Sequence, residues 1–188
     1  MKDFTNDVKD YISKEIQVLK SLDINTINIL MNAILDAYEK SANIYIFGNG
    51  GSASTASHFQ NDFNKGISEH LEKKFNFVCL NDNIPTVLAI ANDLGYENVF
   101  SFQLENKLKK DDLVIAISGS GNSANVLKAI EYAKSEGIKT IGITGYDGGK
   151  LAKMADISFN VKIDDMQITE DVHLILDHLM MSVFCRRL

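Results

Sequence analysis

Five short runs of apolar residues constrain the fold of this 188-residue chain more than any other feature. They span residues 44–47, 77–80, 113–117, 140–143 and 157–161. Each is too short for a helix and rich in β-branched or aromatic side chains. Most are apolar throughout rather than alternating, as expected of strands covered on both faces. Helical spacing separates them, most clearly over residues 124–136. Strands that alternate with helices predict an α/β fold: a three-layer α-β-α sandwich around a central parallel five-stranded sheet.

The first forty residues read as two amphipathic helices. Val8, Ile12, Ile16, Leu19 and Leu22 recur at three- and four-residue steps, as do Ile27, Leu30, Met31, Ile34, Leu35 and Tyr38. Asn25 is the expected cap of the second helix. Pro85 is expected at a helix start, where its missing N–H costs nothing. A last long helix is expected over 168–185. Residues 1–40 are thus read as a helical hairpin within the same domain as 41–188. These helices carry more apolar surface than one small sheet can cover, which predicts packing against another subunit.

The formal net charge of −6 argues against broad capture of nucleic acid or anionic membranes. Arginine occurs only as Arg186 and Arg187, so an anion site must use backbone N–H groups, hydroxyls and lysines. Cys79 and Cys185 are far apart in apolar surroundings and are expected to be buried free thiols. No apolar run approaches the ~20 residues of a membrane span. The acidic first residues lack a signal-like apolar region, so a cytoplasmic protein is expected.

Two of the strands lead into loops of one kind. Phe47 runs into Gly48-Asn49-Gly50-Gly51-Ser52, and Ile117 into Ser118-Gly119-Ser120-Gly121-Asn122-Ser123, each followed by a helix. Glycine lets backbone approach a ligand closely. A helix start offers free N–H groups and the positive end of the dipole, and serine adds compact donors. At the carboxyl edge of a parallel sheet, two such loops point to phosphate binding. Neither has the Gly-Lys-Ser/Thr ending of a Walker loop, and neither keeps the glycine spacing of the dinucleotide fingerprint.

Acid–base candidates cluster on two helices. His58 and Asp62 are four apart, about 40° around an axis, just after the first loop. The last helix carries Glu170, Asp171, His173, Asp177 and His178. Glu170 and His178 lie about 80° apart across two turns, and Asp171 is closer in angle to His178. His178 sits among Leu176, Leu179 and Met180, where a polar group needs a partner or a task. His173 is read as structural, and His70, in a charged stretch, as exposed. Asn92 and Asp93 end an apolar helical stretch, where capping and binding of substrate hydroxyls are both open.

The order of these pieces resembles the sugar isomerase (SIS) domain, a flavodoxin-like α/β fold, and within it the phosphoheptose isomerases. The matching stretches are residues 48–53 with His58-Phe59, residues 91–96, 117–126 and 144–150, and Glu170-Asp171-Val172-His173 with His178. The resemblance implies a homotetramer with sites between subunits, and conversion of sedoheptulose 7-phosphate to D-glycero-D-manno-heptose 7-phosphate through an enediol. It implies Asp62, Glu170 and His178 as catalytic groups. It implies Asn49, Gly50, Gly51, Ser52, Asn92, Asp93, Ser118, Gly119, Ser120 and Ser123 as substrate-binding residues. Some members hold zinc, here implying His58, Asp62, Glu170 and His178 as ligands.

Three departures stand out. The family has Glu where this chain has Asp62, and Gln where it has Glu170; its phosphate-proximal Arg is absent, Lys65 being the nearest cation. A carboxylate one methylene shorter misplaces a base by more than an ångström, which can cost about a hundredfold in rate. An extra carboxylate at Glu170 favours a cation site. Three readings follow: an isomerase of heptose phosphate, an isomerase of another phosphosugar, and a non-catalytic sugar-phosphate-binding or protein-interaction module.

Overall fold

Side-chain alternation along the strands sorts the apolar residues into two separate cores. Ile44, Ile46, Leu113, Ile115, Ile117, Ile141 and Ile143 point to one face of the sheet; Tyr45, Phe47, Val114 and Ala116 point to the other. Both faces are covered, so the strands can be apolar throughout.

The computed structural model describes all 188 residues. In chain order the elements are α1 (Thr5–Lys20), α2 (Ile24–Glu39), β1 (Ile44–Gly48), α3 (Gly51–Asn61), β2 (Phe77–Cys79), α4 (Ile84–Leu94), α5 (Ser101–Leu104), β3 (Leu113–Ser118), α6 (Ala124–Ser135), β4 (Lys139–Gly145), α7 (Leu151–Met154), β5 (Ile157–Val161) and α8 (Met166–Arg187). The five strands form one sheet in the order β2-β1-β3-β4-β5, every pair parallel. Helices α2, α3 and α8 cover one face; α4 to α7 cover the other. The expected α-β-α sandwich is what forms.

The strand order reverses direction between β1 and β3. Gly48 pairs with Ile117 across these neighbours, so the two glycine-serine loops leave the sheet side by side. That crevice is the topological switch point, where open parallel sheets bind ligands.

Three local expectations change. Asp23, not Asn25, caps α2: its carboxylate accepts the N–H groups of Asn25 and Thr26, because the helix begins two residues earlier than expected. Cys79 is buried, its thiol pushed up to about 12 by burial, but Cys185 is exposed, because the last turn of α8 extends into solvent. The N-terminal helices form a corner of 71° rather than a hairpin. Helix α2 spends Ile27, Leu30 and Ile34 on the sheet, leaving no seam for α1. Only Val18 of α1 is buried, while Val8, Ile12 and Ile16 stay exposed. Polar contacts hold α1 to α8 instead: Tyr11 donates to Asp171, and Lys14 pairs with Asp165 at 2.6 Å. No single helix is long and apolar enough to cross a membrane.

His173 locks α8 to the sheet. It is fully buried, and its Nε2 lies 3.1 Å from the carbonyl of Thr144 on β4, so this nitrogen carries the proton and donates. Burial pulls its pKa down to about 4 from 6.5. Below pH 6.5 the unfolded chain takes up a proton that the native chain refuses. Stability therefore falls as the pH drops from about 6.5 to about 4, by roughly 3 kcal/mol for this group, and levels off below. His173→Gln retains an N–H donor without the titration. Urea midpoints at pH 7 and 4.5 are expected to differ less for H173Q than for wild type.

Candidate active site

Two helix starts at the switch point are left open by their own side chains. Helices α2, α4 and α8 begin with Asp23, Asn83 and Asp165, whose side chains accept backbone N–H groups of the first turn. Helices α3 and α6 begin with Gly50 and Ser123, and neither side chain makes a capping bond. Free N–H groups at a helix start form an anion site. Gly50 has φ 53°, which carries the chain from β1 into α3 in a conformation costly for a larger residue.

The loops are braced from behind. The side-chain amides of Asn49 and Asn125 bond reciprocally, both at 2.9 Å, and Tyr96 donates to Asn49 Oδ1 at 2.8 Å. This ties the end of β1 to the start of α6. Asn81 bonds both the N–H and the carbonyl of Gly48. In the second loop the Ser118 and Ser123 hydroxyls lie 3.4 Å apart, and Ser118 Oγ also accepts the Gly121 N–H.

Helices α3 and α8 run side by side in the same direction. Glu170 meets Gly51 at their starts, and His178 meets His58 some two turns further on. At that second level four groups converge. His58 Nε2 lies 3.0 Å from His178 Nε2, 3.4 Å from Asp62 Oδ2 and 3.9 Å from Asp177 Oδ2. His178 Nε2 lies 3.9 Å from Asp62 Oδ2. The imidazoles are partly exposed, whereas Asp62 and Asp177 are buried. Burial, reinforced by the Asp62 charge, pushes the Asp177 carboxyl up to about 8. Immediately after α3 the chain widens into a π-turn, Asp62–Gly66, closed by the Ile67 N–H on the Asp62 carbonyl. Such turns recur at functional sites.

A family model for the SIS domain matches residues 5–145. Over 177 residues the chain is 36% identical to the probable phosphoheptose isomerase of Thermoplasma volcanium, covering 94% of this chain and 90% of the relative. It is 37% identical over 172 residues to a phosphoheptose isomerase of Helicobacter pylori, covering 92% and 87%. The structure of the phosphoheptose isomerase GmhA from Neisseria gonorrhoeae superposes with a TM-score of 0.88 at 28% identity, covering 97% and 98% of the two chains. The chain belongs to the SIS-domain family of phosphoheptose isomerases.

Against that family's pattern, the structure distributes the residues singled out above unevenly. Asn49, Gly50, Gly51, Ser52, Ser118, Gly119, Ser120 and Ser123 all lie in or beside the two open loops. His58, Asp62 and His178 converge at the second level. Glu170 does not join them: its carboxylate sits against Gly51, where even a Cβ would come within 2.2 Å of Oε2. It precedes His178 by a helical rise of about 12 Å. Asn92 and Asp93 lie exposed on the last turn of α4, bonded to each other at 2.7 Å and not to the loops. Gly95, at φ 97°, ends that helix, so neither Asn92 nor Asp93 caps it.

Sequence reasoning missed two parts of the site. Asn125 and Tyr96 are needed to hold Asn49, and only a pairing across 76 residues reveals the first of them. On its own helix Asp177 reads as one charge among several; only its neighbour His178 hints that this apolar stretch holds more than core. Asn125→Ala strands Asn49 between β1 and α6. Losing the reciprocal pair costs about 1 kcal/mol, since half-buried Asn49 keeps only its Tyr96 partner, so N125A is expected to unfold at lower urea, with inorganic phosphate protecting it less than wild type.

Proposed function

We propose that this chain converts sedoheptulose 7-phosphate to D-glycero-D-manno-heptose 7-phosphate by aldose–ketose isomerisation. The observation that carries the proposal is the pairing of two open helix starts with an imidazole–carboxylate cluster further along α3 and α8. The two levels are separated by about 10 Å of helical rise, which suits an extended phosphosugar with its phosphate at one end and its carbonyl at the other. Ser118, Ser120, Ser123 and the first N–H groups of α3 and α6 take the phosphate. No arginine is required, because oriented backbone dipoles supply the positive potential.

Isomerisation moves two hydrogens between neighbouring carbons and their oxygens. Of the two candidate carboxylates, Asp62 lies beside the imidazoles while Glu170 sits at the phosphate level, so Asp62 takes the C–H proton from the hydroxymethyl carbon beside the carbonyl. His178 protonates the carbonyl oxygen as the electron pair moves, giving the enediol. The terminal hydroxyl then loses its proton as the former carbonyl carbon gains one, and the aldose results with no net change in atoms. His58, 3.0 Å from His178, orients that imidazole.

The donor set also fits a divalent cation. Two imidazole nitrogens and two carboxylates lie within 4.8 Å of one another, and both Asp177 oxygens are buried without a hydrogen-bond partner. Nitrogen and oxygen donors of this kind suit zinc, the ion we assign. His58, Asp62, Asp177 and His178 would hold such an ion, which would supply Lewis-acid stabilisation of the developing oxyanion.

We further propose a homotetramer with sites between subunits, with α1 presenting its exposed row of Val8, Ile12 and Ile16 to a second copy. The same row carries Ile12→Glu with Ile16→Glu as a test: light scattering is expected to report a smaller assembly for the double variant. A cytoplasmic location is consistent with two unpaired cysteines.

Turnover of sedoheptulose 7-phosphate, followed by a coupled assay with and without zinc, tests the assignment. Asp62→Ala and His178→Ala are each expected to lower kcat/KM by about a hundredfold or more. Absence of turnover under both conditions removes the heptose assignment. Phosphosugar binding without exchange of the carbon-bound hydrogen points instead to a binding module.

A further inference from the structure

The family resemblance places Glu170 with His58, Asp62 and His178 in the metal-binding set. The geometry points to a different fourth ligand: we infer that Asp177, on the buried side of α8, completes a two-histidine, two-carboxylate site and leaves Glu170 outside it. This rests on the reading that the cluster holds a divalent ion.

Three observations carry the inference. First, Asp177 has no exposure at all, yet neither carboxylate oxygen has a hydrogen-bond partner. Buried polar groups are nearly always paired, and what this one faces is the pair of imidazoles and Asp62. Second, the spacing matches a small tetrahedral site. Bonds of roughly 2.0–2.1 Å place tetrahedral ligand atoms about 3.3 Å apart. The close contacts in the cluster are 3.0, 3.4, 3.9 and 3.9 Å. Modest outward movement of the two imidazoles opens the centre for an ion. Third, Glu170 lies seven residues before Asp177, a helical rise of about 10 Å. Its carboxylate is engaged at Gly51, at the positive end of α3.

Asp62 and Asp177 explain each other. Asp62, carried at the end of α3, and Asp177, carried on α8, are both short and both buried, and they face the same two imidazoles. Glu170 stays at the start of α3, outside the donor set. The ligand set has no thiolate, so it also accepts cobalt(II), manganese(II) and iron(II).

The test is a zinc titration of the full-length chain against a chromophoric chelator, alongside thermal melts with and without zinc. Asp177→Asn and Asp177→Ser are each expected to weaken zinc binding by about a hundredfold and to abolish the melting shift that zinc gives wild type. Metal-free melting of the two variants monitors the fold, and either one suffices. Glu170→Gln is expected to keep zinc affinity within about threefold of wild type. Weakening by E170Q equal to or greater than that by D177N overturns the inference, as does unchanged affinity in D177N and D177S. If wild type binds no zinc, cobalt or manganese, the metal reading itself fails and this inference with it, whereas turnover of the heptose phosphate is judged separately by the coupled assay.

Discussion

The parallel packing of α3 against α8 is the constraint on which the rest of the site depends. Each helix alone carries charges that a soluble domain would normally turn to water. Packed together, they place a carboxylate from each, Asp62 and Asp177, in the interior beneath two imidazoles. Such an arrangement is poor for stability, since two buried acids repel and one has no hydrogen-bond partner. Its retention is intelligible if the cluster serves a ligand, because sites that bind charge are where local stability is given up. The surrounding fold supplies the compensation. Phe59, Phe63 and Phe184 are buried beside the cluster, and His173 fastens the middle of α8 to β4.

The sheet order and the helix pair together define a direction. Reversal of strand order between β1 and β3 opens the crevice, and the loops on either side leave their helix N-termini uncapped. One of those helices is α3. The element that offers N–H groups to an anion at its start therefore also carries His58, and the π-turn that follows it carries Asp62. Distance between phosphate and chemistry is fixed by the rise of a single helix rather than by a flexible loop. Rigid placement of this kind limits the orientations a bound phosphosugar can take before reaction.

How much of this was legible in the sequence follows from the range over which each signal acts. Continuous apolar runs are local, and they located all five strands to within a residue or two at each end. Glycine and serine in the two loops are also local, and both loops lie where the pattern put them. Helix caps are decided by single residues, so the choice of Asp23 over Asn25 was not settled by composition. The corner between α1 and α2 was invisible because it depends on which face of α2 the sheet claims. Angular arithmetic on one helix grouped Glu170 with His178, but it ignored the rise between them. Convergence of four side chains is a property of two helices and their relative offset, and no periodicity within either helix encodes it.

That offset bears on the two unusual carboxylates. On one helix, a residue such as Asp62 reads as a shortened version of a longer family side chain and suggests weakened chemistry. In the helix pair its contacts come from both helices: His58 on α3 at 3.4 Å and His178 on α8 at 3.9 Å, with Asp177 completing the group. A loss of reach at one position coincides with a gain of a carboxylate at another, and the two together preserve a compact donor set. The same shift leaves Glu170 beside the phosphate loops, where its charge opposes an incoming anion at the start of α3 unless the side chain swings toward the sugar.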